Sequence, residues 1–574
     1  SFHAVPLRLQ IEVRDLTVHG KEAPGQQPYA HVDSLAAVIN LSSALGAKLA
    51  FHSLTLQHPV IHIIFYPDGS TNQPGNNSQA SDFQQLFSLS TRQLRVLHGE
   101  LIWQDQRIPL DFSSDGVSVN LGYSFLHRRY SGTVAIGKAE THFEGLRPVA
   151  WGGQSNFTFD RNGLQVQSLK ATAGSSQFQA TGVQLDFTKL RVRGNYDLNI
   201  DLTQAAAVFH KPQIKAGALH VTGSGSWSRE GFASDGDFDV HALEWQQRTF
   251  SGQGLTASGK FSIDPRKLAI SKTQGQFLRG TFIADGEVVN WQSPPAAAKS
   301  LQQRGIIVIK TKNVSLTELL GGLGPIFRPV NKLRFAGNIS GNAEVQWKQS
   351  IDYAQAVGVA EVSPPSSPRD GQIPLTARVR ANYDLRSGDM QLSELTASTP
   401  ATQLQASGAL ASSVKVAFSS NDLREWQSVI AQLFPAGAPL VVHGHAVFNG
   451  TAAGRTSNLR LAGNLQLRDF DAIVPAKPSA PQGLVHWDSL IADVQVSSTG
   501  LSLRNAVLRR EDAIVKINGT AGLEEWALVP DSPLRLRLDV QNANADELGN
   551  FAGYDHQVTG KLLVAKRLIQ RMRI

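Results

Sequence analysis

One 19-residue cadence limits what this chain can fold into more than any other feature. "LQVQSLKATAGSSQFQATG" (Leu164 to Gly182) has apolar residues at its first and third positions, and again four and two residues before a closing glycine. It returns as "LAISKTQGQFLRGTFIADG" (Leu268 to Gly286), "MQLSELTASTPATQLQASG" (Met390 to Gly408) and "LSLRNAVLRREDAIVKING" (Leu501 to Gly519), with the closing glycines 104, 122 and 111 residues apart. Leu164 and Val166, Leu268 and Ile270, Met390 and Leu392, and Leu501 and Leu503 open the copies; Phe178, Phe282, Leu404 and Val515 each begin the closing pair. A period of two sends alternate side chains to opposite faces of a strand. Each copy therefore predicts one hairpin of a repeating antiparallel sheet, in a unit longer than the short solenoid repeats.

Downstream of each closing glycine stands a helix-start pattern: Asp201 with Gln204, Ser315 with Glu318, Asp422 with Glu425 and Asn544 with Glu547. This is capping-box or near-capping-box spacing, in which each side chain satisfies an amide left unpaired at a helix start. One short helix per repeat is expected. The chain then re-enters a strand at Val221 and Gly223, Phe335 and Gly337, Val442 and Gly444, and Val558 and Gly560. The distance from cap to glycine is 22 residues in three units and 16 in the last.

Strand character extends to "LRLQIEV" near the start and "LRLRLDV" from Leu534, while helix is sparse. "DG" at 68–69 and "NG" at 162–163, 449–450 and 518–519 read as tight connections between antiparallel strands. Hydrophobic residues make up 41% of 574, enough for ample core, and a Lys plus Arg excess of 54 over 47 is too mild and scattered to argue for nucleic acid. With no cysteine, thiolate metal sites, cysteine nucleophiles and disulfides are excluded. No run of 18 apolar residues occurs and "SFHAVPLRLQ" lacks a signal-peptide layout, so an export signal or membrane anchor is expected outside this sequence.

Residues 1–150 read differently from 151–574, which hold the four repeat units of about 105–120 residues, the last truncated. "SLTLQHPVIHIIFYPDGSTN" (Ser53 to Asn72) predicts a strand into Pro59, a second strand and a Pro-Asp-Gly turn. A Gly-, Asn- and Ser-rich loop follows at about 73–82, and proline-bearing linkers lie at 292–300 and 363–372.

In this region "IEVRDLTVHG" and "LAFHSLTLQHPVIHIIFYPDGSTN", through Asp15 and Leu16, Leu54, Leu56 and Pro59, and Asp68, Gly69 and Asn72, resemble the N-terminal part of AsmA-like and TamB-type proteins of the diderm bacterial envelope. The repeats resemble the long β region of the same proteins. The resemblance implies an elongated antiparallel sheet curled into a U-shaped groove, one short helix per repeat, that carries phospholipid between inner and outer membranes across the periplasm. It implies an inner-membrane anchor, absent from this sequence, and an outer-membrane β-barrel partner. The groove candidates are Leu164, Val166, Phe178, Leu268, Ile270, Phe282, Leu392, Leu404, Leu501, Leu503 and Val515. No cofactor, metal or nucleic acid is expected. The basic end, "KLLVAKRLIQRMRI", departs from the family's distinctive C-terminal domain; it reads either as an amphipathic segment touching anionic lipid or as a strand cut short.

The physical case for a conduit stands beside the resemblance. An acyl chain crossing water loses about 0.8 kcal/mol per CH₂, roughly 10 kcal/mol per long chain, and a continuous apolar lane removes that barrier. The same alternation would equally build a closed β-sandwich or solenoid filled by its own side chains. Two other function classes compete. TamB-type relatives are associated with inserting β-barrel proteins, a task open strand edges could serve by β-pairing. An enzyme, including a β-helical carbohydrate-active one, would need convergent groups. "HPVIH" (His58, His62) and "HGH" (His443, His445) offer paired imidazoles without a third ligand, "GGLGPIF" (321–327) reads as a helix stop, and no nucleophile elbow, zinc helix or phosphate loop occurs. No enzymatic activity is expected.

Overall fold

A computed structural model describes residues 2–5, 8–22, 25–40, 51–74, 91–107, 110–247, 250–294, 297–323, 334–427, 441–455, 458–474, 483–524, 526, 528–529, 531–544, 561–562 and 565–570. The chain is mainly β and divides into two compact units, Ser1–Trp245 with Gly254–Ser271, and Gln246–Gln253 with Lys272–Ile574. The loop expected at 73–82 falls outside the described residues from 75 on, as do Glu547, Val558 and Gly560.

In unit 1 consecutive strands pair from Phe2–Val5 through to Gly231–Gln246, each antiparallel to the next with one exception. Phe51–Phe65 and Gln93–Asp105 run parallel, an arrangement that a tight turn cannot join. The Pro-Asp-Gly segment turns where expected, with Gly69 at φ +85° and its N–H donating 2.9 Å to the Tyr66 carbonyl. Beyond it the wholly buried Asn72 folds back: its side chain accepts from the Ile64 N–H at 2.9 Å and donates to the His62 carbonyl at 2.7 Å. One amide side chain thus satisfies strand groups there.

In unit 2 antiparallel pairing is continuous from Gly280–Val289 to Leu534–Gln541, and Ala565–Gln570 adds a last strand. All four cadence windows hold two strands and a turn: Gly163–Ala173 with Ser176–Asp186, Lys267–Phe277 with Gly280–Val289, Asp389–Ser398 with Thr402–Ala409, and Gly500–Arg510 with Ala513–Gly522. Asn449–Gly450 and Asn518–Gly519 are not turns but lie inside strands. The Asn518 side chain is used instead to accept the Asn505 N–H at 3.0 Å across the hairpin.

The alternation is not strict, and its irregularity organises the strands of both units. Apolar residues advance by two, slip by three once in mid-strand, then advance by two again: Leu54, Leu56, then Pro59 and Ile61; Leu164, Val166, then Leu169 and Ala171; Leu501, Leu503, then Ala506 and Leu508. A one-residue slip would turn the set to the other face. A β-bulge absorbs the extra residue, as at Leu392/Leu395 and Leu503/Ala506. Several mid-strand residues take positive φ, among them His58 (45°), Gly182 (61°), Lys272 (52°) and Asn505 (51°). The apolar set therefore stays on one face along the whole strand.

The helix expected once per repeat takes two forms. Leu202–Val208 and Leu316–Gly322 are single α-helices, Leu423–Trp426 is a 3₁₀ turn, and the fourth position lies outside the described residues. Asp201, Ser315 and Asp422 cap as expected, accepting from Thr203 and Gln204 N–H (2.8 and 3.1 Å), Glu318 N–H (3.3 Å) and Arg424 N–H (3.0 Å). The reciprocal half of the capping box is not made. Asp201 N–H donates to Ser176 and Ser315 N–H to the Leu278 carbonyl, so the third helix residue is released to bond elsewhere.

Candidate functional site

The register places the candidate residues on rows that cross many strands. In unit 2, Phe282 begins one: Phe282, Thr311, Gly341, Ala360, Val379, Leu395, Ala406 and Val416 are successive cross-strand partners. The row continues through Gly450, Gly463, Val494, Leu503 and Gly519 to Leu536. Fourteen strands are crossed without a charged side chain. A second row, two residues along, runs from Ala284 through Leu392 and Leu501 to Leu534 and is equally free of charge. Leu404 and Val515 sit two and four residues from the first row on their own strands, so all six unit 2 candidates share one face.

The opposite face of the same strands carries a contrasting row: Ser340, Glu361, Arg378, Thr396, Gln405, Ala417, Asn449, Asn464, Asp493 and Arg504. It is tied by ordinary surface contacts, such as Arg378 with Glu361 at 3.0 Å and Asn505 with Asp493 at 2.9 Å. That asparagine's hydrogen bond, with a second from Asn464, holds the Asp493 carboxyl below its usual pKa.

In unit 1 Phe178 lies on a row from Gly99 through Val117, Ile136, Gly153 and Ala171, and on through Leu198 and Val221 to Phe238. Val166 is opposite Phe157 and Val183, and Leu164 opposite Phe159 and Leu185. Leu268 and Ile270 are half-buried on the strand Lys267–Phe277.

Burial separates the candidates into two kinds. Val515 is buried in a cluster with Val540, and Leu164 and Leu392 pack against the buried clusters around Tyr130 and Val414. Along the Phe282 row only Ala406 is fully buried and the rest are half-buried, so most of that row retains access to solvent. Roughly 1 kcal/mol would be gained for each half-exposed Leu, Val or Phe withdrawn fully from water. The face can thus be covered favourably by an apolar partner.

The histidine motifs do not converge. His58 lies between Asp33 (3.1 Å) and Glu100 (3.2 Å), whose hydrogen bonds, Glu100's first, raise its pKa, whereas His62 is buried and bonds Gln104 at 3.1 Å. His443 stands opposite Asp471 and His445 opposite Arg468. Among the described residues no group of three His, Asp or Glu side chains could hold a metal ion.

Sequence reasoning missed the contribution of Ala, Gly and Thr to the rows, because small residues carry no periodic signal of their own. It also missed the three-residue slip, which was legible in the spacing of Val166 to Leu169 and Leu503 to Ala506. No family model matches the chain, and neither does any curated protein or solved structure.

Proposed function

We propose that the apolar face receives phospholipid acyl chains and that the chain is part of a lipid conduit of the AsmA-like and TamB type, working between the two membranes of a diderm envelope. The observation that carries this reading is the uncharged Phe282 row, fourteen strands wide and mostly half-buried. At about 4.8 Å between strands, such a row extends for roughly 60 Å when followed from strand to strand. That length exceeds what one acyl chain needs. It suits passage along the face better than a single binding pocket.

The bulges support the U-shaped groove. Each bulge bends its strand and increases the local twist, and in this chain they recur in mid-strand, where such bending would make one face concave. A face lined by alternate apolar residues and flanked by a polar outer face needs no catalysis to lower the barrier for a lipid. Directed movement requires a separate source of energy.

The test is native mass spectrometry with lipid extraction on chain purified from a bacterial envelope. Several phospholipids per chain are expected, and Phe282→Asp or Leu404→Asp should remove them while the β circular dichroism persists. A well-folded, lipid-free wild-type chain that also fails to take up fluorescent phospholipid would end this reading.

A further inference from the structure

The two ends of the unit 1 strands differ in charge. At one end five turns follow in order, 125–128, 160–162, 187–190, 229–230 and 264–266, and each presents an exposed basic residue: Arg128, Arg161, Lys189, Arg229 and Arg266. The turns are neighbours. Phe187 N–H donates 2.9 Å to the Asn162 carbonyl, and a Cβ built on Gly231 would lie 2.9 Å from Pro265.

Four acidic residues occur at this end too, against eight basic ones once the exposed Arg129, Arg191 and Lys267 beside the turns are counted, and three of the four also bond turn amides. Asp160 accepts from Asn162 and Gly163 N–H (2.7 and 3.1 Å), Asp186 from Thr188 and Lys189 N–H (both 2.9 Å), and Asp264 from Arg266 and Lys267 N–H (2.7 and 2.8 Å). The fourth, Glu230, adjoins Arg229. The opposite end is balanced: Arg107 is bound to Asp105 at 2.7 Å, Glu144 accompanies Arg147, the turn at 174–175 is uncharged, and Lys211 follows the Asp201-capped helix.

Just inside the basic turns runs the outermost row of the apolar face: Tyr123, Tyr130, Phe159, Leu164, Leu185, Val192, Trp227 and Phe232 are successive partners. Five of these are aromatic; Tyr130 and Phe159 are buried, whereas Trp227 is 51% exposed. From the middle of the face to its edge the order is therefore aliphatic, aromatic, cationic. That is the order an anionic amphiphile presents in reverse, since tyrosine and tryptophan favour the boundary between hydrocarbon and water while arginine and lysine bind phosphate.

We propose that this edge of unit 1 is a rail for the phosphate groups of lipids whose acyl chains lie on the adjoining face. The inference rests on the acyl-chain reading and adds headgroup selectivity to it. Because successive turns are two strands apart, about 10 Å, a phosphate leaving one guanidinium or ammonium is met by the next. Anionic lipids are held more firmly than zwitterionic ones.

The experiment offers the purified chain vesicles containing equal amounts of fluorescent phosphatidylglycerol and phosphatidylcholine and measures what each variant extracts. Wild type should favour phosphatidylglycerol at least several-fold. The variant Arg128→Gln, Arg161→Gln, Lys189→Gln, Arg229→Gln and Arg266→Gln should extract a similar total with the preference reduced to near unity. A control neutralising Lys138, Lys170, Arg147, Lys211 and Lys215 should keep it. Lipid extraction without headgroup preference, or a preference equally lost in the control, overturns the rail and leaves the conduit. Competition by glycerol phosphate as strong as by lipid assigns the edge to soluble phosphate and also overturns it. No extraction by wild type removes both.

Discussion

The Glu425 carboxylate accepts a 2.8 Å hydrogen bond from the hydroxyl of Thr402, 23 residues earlier, and so ties a 3₁₀ turn to the connection of the preceding hairpin. It also accepts from the Thr399 hydroxyl at 2.6 Å and the Ala401 N–H at 3.0 Å. The same link recurs with different chemistry in the other described repeats. Gln204 accepts from the Ser176 hydroxyl at 3.2 Å in the first hairpin turn, and Glu318 pairs with Arg279 in the second. In each case the third residue after the cap fastens the helical element to the turn of its own repeat.

Glu425→Ala should therefore destabilise unit 2 by about 2 kcal/mol, since hydrogen bonds to a charged group contribute about 1.5–3 kcal/mol and Thr402 is left buried beside a lost partner. The Ala401 amide should lose hydrogen-exchange protection first. Gln204→Ala, which breaks only neutral and partly exposed bonds, should cost less than about 1 kcal/mol. Equal effects of the two variants in urea unfolding would contradict this account of the link.

How far the sequence disclosed this arrangement depends on range. Asp201, Ser315 and Asp422 were legible as caps because a cap acts on an amide two or three residues away. The target of Gln204, Glu318 and Glu425 was not, because the hairpin turn is distant in sequence and is brought close only by strand pairing. The hairpins were readable from Leu164 or Leu501 and a glycine 18 residues later, while Asn449–Gly450 misled because a turn dipeptide also suits a close approach of strands. The parallel partnership of Phe51–Phe65 with Gln93–Asp105 leaves no local trace at all. For the candidate face, large residues were identifiable one by one, but the uncharged row needed the register.

His58 should make unit 1 pH-sensitive. Glu100 and Asp33 raise its pKa above the ordinary value, so its contribution is fully present below the unfolded-state pKa, about 6.5, and is lost as pH rises through the higher folded value. Asparagine tolerates the positive φ of this position and lacks the charge. The difference in urea midpoint between wild type and His58→Asn should be largest below about pH 6.5 and shrink above it. A difference that grows with pH would have the wrong sign.

Lys272 lies mid-strand in the second cadence window at φ 52°, with its N–H held by Asp285 at 2.8 Å. Left-handed backbone costs a non-glycine residue about 1–2 kcal/mol. Lys272→Gly should be neutral or stabilising by up to about 1 kcal/mol, whereas the β-branched Lys272→Val should be destabilising. Thermal melts of the two variants distinguish them, and a stabilising valine would deny the left-handed backbone there.

Where acyl chains lie is the central claim, and photo-crosslinking addresses it most directly. A benzophenone amino acid is placed in turn at Val379 and Leu503, on the uncharged row, and at Arg378 and Arg504, one residue away on the polar face. Each chain is incubated with phospholipid vesicles, irradiated and examined for lipid adducts by mass spectrometry. Adducts at Val379 and Leu503, with few or none at Arg378 and Arg504, are the predicted result. Equal labelling of both faces, or none on the row in a folded chain, would contradict it.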